Sequence, residues 1–239
     1  MRAFLVPALL AVLAVPAPAL SQEGGAFDIA LRGLTGARLA WKARSDAGGY
    51  AVSGAIATTG AIGLIARFAY EGRAEGRLRG GRPVPLRYEE QVRTPERAGR
   101  TILRYRGGTP RVAERTPPRE PRPHDVDPSG QTGRLDPLTA MWLLLRDVDP
   151  GAVCDLDLPG YDGRRATRVR LTGVAEARGE TVICNGVYVR QAGFPPEEMA
   201  ERTRFPFTLH YGPAGDGRLR VELLRLTTDY GPATLTRRD

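Results

Sequence analysis

The chain has 239 residues and a formal net charge of +8, carried almost wholly by arginine because Lys42 is its sole lysine. Two cysteines and two histidines are too few for a structural metal scaffold, which normally needs four organised ligands. The arginines are scattered and form no dense stripe, which argues against nucleic acid, while a basic surface suits anionic lipid headgroups or acidic glycans.

At the N-terminus Arg2 precedes an apolar run from Ala3 to Val15, followed by small residues and prolines with Ala17 and Ala19 at cleavage spacing. The expectation is a signal peptide over residues 1–21, cleaved near residues 19–21, and a periplasmic mature chain. The run is too short to span a bilayer, and Pro7 and Pro16 interrupt it, so no stable membrane anchor is expected.

Residues 22–239 read as a single β-rich domain. Short alternating runs come first: Phe27 to Leu31, Arg38 to Ala43 and Tyr50 to Ile56, with Asp46, Gly48 and Gly49 turning a hairpin between the last two. Ile62 to Arg73 suits either helix or strand by periodicity, and its neighbours favour strand. Pro85 to Arg93 and Arg100 to Tyr105 predict a further hairpin. Arg87, Glu89, Gln91 and Arg93 would share one face and Leu86, Tyr88 and Val92 the other, with Glu90 breaking the pattern. Residues 116–128 are proline-rich and predict a crossing loop.

Asp136 to Arg146 is the clearest helix, with Asp136 as N-cap and Pro137 at the first helical position. It is apolar almost all round, which predicts burial on most faces. Strands resume over Val153 to Leu158, Arg165 to Leu171, Thr181 to Gln191, Phe205 to Tyr211, Leu219 to Leu226 and Ala233 to Thr236. Asp162-Gly163 turns the first of their hairpins. The fold expected is mainly β: a curved antiparallel sheet or open β-barrel wrapped around one buried apolar helix. In an oxidising compartment Cys154 and Cys184 are expected to form a disulfide.

No nucleophile elbow, zinc-protease pair, phosphate loop or dinucleotide fingerprint occurs, so no catalytic residue, cofactor or metal is assigned. His124 reads as a loop residue and His210 as a strand residue. Asp125/Asp127 and Asp155/Asp157 are paired acids that read as solvated rather than as a hydrolytic or calcium site. Trp41, Phe68, Tyr70, Trp142, Phe194 and Phe205 are the candidate lining of an apolar ligand pocket, with arginines at its rim for an acidic headgroup.

Thr132 to Leu138, Tyr161 to Arg165, Cys184 to Tyr188 and Ala192 to Phe194 together resemble the DUF3108 family of exported bacterial proteins, over nearly the whole mature chain. That resemblance implies a β-rich fold. The function expected is a periplasmic, non-catalytic binding or envelope-maintenance protein for a hydrophobic or amphipathic ligand, or for an anionic envelope component. The alternatives are a structural or protein-interaction module of the envelope, and a glycan-processing enzyme using carboxylates.

Overall fold

The computed structural model describes residues 20–239 except 61–62, 64–66, 174–175, 179–180 and 239. The expected signal peptide lies almost wholly outside the described residues, as does much of the early part of the ambiguous stretch from Ile62.

Fourteen strands form one antiparallel sheet. They are β1 Ser21–Leu31, β2 Leu34–Ser45, β3 Gly49–Thr58, β4 Ala69–Arg79, β5 Arg82–Arg93, β6 Ala98–Arg106 and β7 Thr109–Thr116, then β8 Asp157–Tyr161, β9 Ala166–Leu171, β10 Glu176–Arg178, β11 Thr181–Ala192, β12 Arg204–Pro213, β13 Leu219–Thr228 and β14 Gly231–Arg238. Among the described residues two α-helices accompany them: α1 Pro137–Leu145 and the short α2 Pro196–Glu201. Spatial order is β7-β6-β5-β4-β3-β2-β1-β14-β13-β12-β11-β9-β8, with β10 beside β11. The C-terminal strand β14 pairs with β1 from Ala26↔Arg238 to Leu31↔Ala233 and so joins the two runs of hairpins.

This order overturns the expected curved sheet or open barrel wrapped around the helix. The sheet is an open path whose end strands, β7 and β8, do not pair with each other. β7 ends at Thr116 and runs into Pro117 and Pro118, which have no N–H to continue a ladder. The free side of β8 is met by one residue, Leu135, through a single parallel bridge to Gly160.

The helix is buried as its composition predicts. Leu138, Trp142 and Leu145 are each 1% exposed, and α1 packs against β3, β4, β5 and β8. It begins where expected: Asp136 is extended and fully buried, and its carboxylate accepts from Thr139 N at 2.8 Å and Thr139 Oγ1 at 2.7 Å. Gly54 on β3 lets the helix come close, because a Cβ there would lie 2.8 Å from Leu138 Cδ1. Trp142 stacks on Tyr50 with ring centroids 5.2 Å apart.

One side-chain assignment reverses. Leu86 is exposed whereas Pro85 is buried, because a register shift between Glu75 and Gly76 opposite them turns Leu86 away from Tyr88. Glu90, the break in the alternation, is held in the protein interior by Tyr88. The Cys154–Cys184 disulfide is formed, with Cα atoms 5.3 Å apart. Cys154 lies in the turn before β8 rather than in the strand, at φ 63°.

Candidate functional site

Three surfaces and one buried network are chemically distinctive. The network starts at the helix cap: Asp136 accepts from Thr139, whose hydroxyl also meets Tyr50 Oη at 3.1 Å. Beside it Tyr70 Oη meets Tyr88 Oη at 3.0 Å, and Tyr88 donates to Glu90 Oε2 at 2.8 Å. Burial pushes the Asp136 carboxyl up to about 6, partly offset by the bonds from Thr139, and burial also raises Glu90. The hydroxyls of Tyr105 and Tyr161 are buried with no protein partner among the described residues.

The first surface is a trough on the face of β1–β5 opposite the helix. A hollow of about 680 Å³ is bordered by Ala26, Ala40, Trp41, Ala55, Glu71 and Arg73. It adjoins a second of about 620 Å³, and the two share Lys42, Ser53, Arg73 and Glu89. Strand alternation explains the floor: Ala40 pairs with Ala55 across β2 and β3, so small side chains lie side by side between longer charged ones. Trp41 itself takes the other, helix-facing side, opposite Gly54; a Cβ at Gly25 would sit 3.2 Å from its Nε1, an indole N–H with no partner among the described residues.

The second surface is the end of the sheet carrying the β4–β5 and β6–β7 turns. Arg77, Arg79, Arg82, Arg104, Arg106 and Arg111 are exposed there, and none lies within ion-pair distance of a carboxylate among the described residues. The third surface is at the opposite end. Leu31, Leu34 and Tyr230 are 41%, 69% and 74% exposed on adjoining turns, joined by the Arg32 Nε bond to Tyr230 O at 2.7 Å. Phe68, 36% exposed, stands at the same end, just before β4.

The six aromatic residues expected to line a pocket are dispersed. Trp41 is in the core on the helix-facing side of β2, and only that strand's other face floors the trough. Tyr70 belongs to the tyrosine–glutamate network, and Trp142 is packed against Tyr50 with its indole N–H donating to Glu23 Oε2 at 3.2 Å. Phe194 and Phe205 are brought together by Arg190, whose guanidinium lies 5.2 and 4.7 Å from their ring centroids. Gly193, at φ 87°, turns the chain ahead of Phe194.

The paired acids hold structure. Asp125 accepts from Arg119, Arg164 and Arg122 N, fastening the proline-rich segment to the β8–β9 turn. Asp127 caps a short helical turn at Ser129 N, and Asp157 forms a two-bonded pair with Arg168. Asp155 lies in the turn before β8. His210 sits beside Thr208 at 3.1 Å, with burial and then Arg225 lowering its basicity. His124 has its Nε2 buried without a partner among the described residues. Among the described residues no cluster of three or more histidine, cysteine or acidic side chains could hold a metal, and no helix is long and apolar enough to cross a membrane.

The trough and the basic end were not legible beforehand. The first depends on which small residues become cross-strand neighbours, the second on two successive hairpins ending side by side. The acid-free stretches 76–88 and 97–113 are the signal that could have marked the second.

Among solved structures the chain is similar to a β-barrel-like protein of the domain of unknown function DUF1849 from Brucella abortus. Identity is 12% over 93% of this chain and 96% of that chain, and the TM-score is 0.49. No curated protein matches. Residues 26–235 match the family described as "Protein of unknown function (DUF3108)", and that match over most of the chain shows that the chain belongs to the DUF3108 family.

Proposed function

We propose that this is an exported, non-catalytic binding protein of the cell envelope, working as the single domain 22–239, and that the trough over β1–β5 receives an amphipathic ligand. The observation that carries this reading is the hollow of about 680 Å³ floored by Ala40 and Ala55 and bordered by Lys42 and Arg73. Its size suits a small-molecule site. The apolar part of a ligand would lie over Ala40 and Ala55, and its polar part would meet Lys42 or Arg73. Binding then rests on burial of apolar surface and bond making plays no part. The leader over residues 1–21 and the disulfide support export.

Native mass spectrometry of protein purified from its own envelope fraction tests this. A co-purifying small amphiphile, displaced when Ala40→Trp and Ala55→Trp fill the trough, is the expected result. Bare protein of unchanged mass from both wild type and the filled variant would overturn it.

A second reading, an envelope interaction module, draws on the exposed Leu31, Leu34 and Tyr230 on adjoining turns. Under it Leu34→Arg would abolish assembly seen by sedimentation velocity and leave the trough ligand in place. Wild-type protein that sediments as a monomer at all concentrations would remove this reading.

A further inference from the structure

We infer that the arginine-bearing end of the sheet is a docking site for an anionic phospholipid surface, distinct from the trough. The β4–β5 turn reads Arg79-Gly80-Gly81-Arg82 and the β6–β7 turn continues Arg106-Gly107-Gly108, and the sheet order sets these two tips near one another. Register places like charges directly opposite: Arg79 faces Arg82, and Arg104 faces Arg111. Like charges opposite one another on neighbouring strands destabilise a sheet.

Elsewhere the protein neutralises such neighbours. Arg168 has Asp157, Arg220 has Asp147, and Arg87 and Arg100 share Glu89. At this end there is no acidic residue between Glu75 and Glu89 or between Glu96 and Glu114. The repulsion is therefore left to be relieved by something outside the chain, and that something is anionic.

The shape next to these arginines favours a phospholipid over a free anion. A hollow of about 510 Å³ lies between the two tips, with Arg77, Arg79 and Arg106 on its border. Pro83, Val84 and Pro85 form an apolar wall to it, and Leu86 is 42% exposed through the register shift described above. A free phosphate would use the guanidinium groups and leave the apolar wall without a purpose. A lipid headgroup with its glycerol and upper acyl chain would use both.

Docking at this end needs no ligand in the trough, and the two are separated by experiment. Protein is sedimented with vesicles of phosphatidylcholine alone and with vesicles in which about a third of the lipid is phosphatidylglycerol. Partitioning is expected to be at least about tenfold stronger onto the anionic vesicles and to fall steeply with added salt. The triple variant Arg79→Glu, Arg82→Glu, Arg106→Glu should lose that preference. Arg67→Glu, Arg204→Glu, Arg225→Glu makes the same change of charge at exposed arginines away from this end and should keep it.

These turn residues are exposed, and a circular dichroism spectrum shared with wild type certifies the fold of each variant. Filling the trough by Ala40→Trp and Ala55→Trp should leave vesicle binding unchanged. Equal binding to both vesicles, or equal loss in the two triple variants, overturns the site. Stabilisation of the wild type by millimolar inorganic phosphate without any vesicle binding would overturn the lipid assignment and mark a soluble-anion site instead.

Discussion

Replacing Asp136 by Asn isolates the electrostatic cost of the helix cap. Asp136 is fully buried, and burial lifts its carboxyl from 3.8 to about 6 in the folded protein. A carboxyl whose folded value is raised binds its proton more tightly when native. Its contribution to stability is therefore complete below about pH 4 and is lost as pH rises through about 6. The full shift corresponds to roughly 3 kcal/mol, of which roughly 2–2.5 kcal/mol falls between pH 4 and pH 7.5.

Asn is as good an N-cap as Asp and its Oδ1 can still accept from Thr139 N. Its amide would donate to Thr139 Oγ1, which can then donate to Tyr50 Oη, so the chain of hydroxyls reverses; the second amide N–H and the Tyr50 O–H are left without these acceptors, a cost that is constant between pH 4 and 7.5 and leaves the pH slope untouched. Asn carries no charge at any pH. Urea unfolding of both proteins, disulfide intact, from pH 4 to 7.5 should show the stability of wild type minus that of Asp136→Asn falling by roughly 2–2.5 kcal/mol as pH rises. Taking the difference cancels other titrating groups, including Asp125 and Asp157, whose arginine partners help hold them low. A difference that is flat with pH, or that rises, would refute the reasoning.

Trp142→Ala should cost roughly 3–5 kcal/mol, since the ring is 1% exposed and stacked on Tyr50, and a near-zero change in denaturant midpoint would contradict its place in the core. Gly54→Val should destabilise by about 1–3 kcal/mol because the new side chain meets Leu138, whereas Ala51→Val on the opposite face of the same strand should stay within about 0.5 kcal/mol; the two midpoints measured side by side check it. The pair Cys154→Ser and Cys184→Ser should lower stability by roughly 3–4 kcal/mol through the loop it opens, and free-thiol titration of the wild type should find none before reduction.

How far the residues alone carried the fold depends on the range of the interaction involved. The helix was legible to the residue at its start, because Asp136, Pro137 and Thr139 settle the cap within four positions. The hairpin at Asp162-Gly163 was equally local: Asp162 Oδ1 accepts from both Arg164 N and Arg165 N. Strand alternation also survived, except where a register shift in the partner strand turned Leu86 outward. The edges of the sheet were not legible. Alternation reports which face a side chain takes and says nothing of whether the two end strands meet, so the expected curved sheet or barrel gave way to an open path.

Local chemistry therefore determined the elements, the helix cap, the turns and the cysteine pair available for bonding. Tertiary structure decided the neighbours: β14 beside β1, Ala40 beside Ala55, and two arginine-tipped turns at one end. The physical reason is that caps and turns are settled by hydrogen bonds across two to four residues. A surface site is made by side chains that only the pairing of distant strands sets side by side.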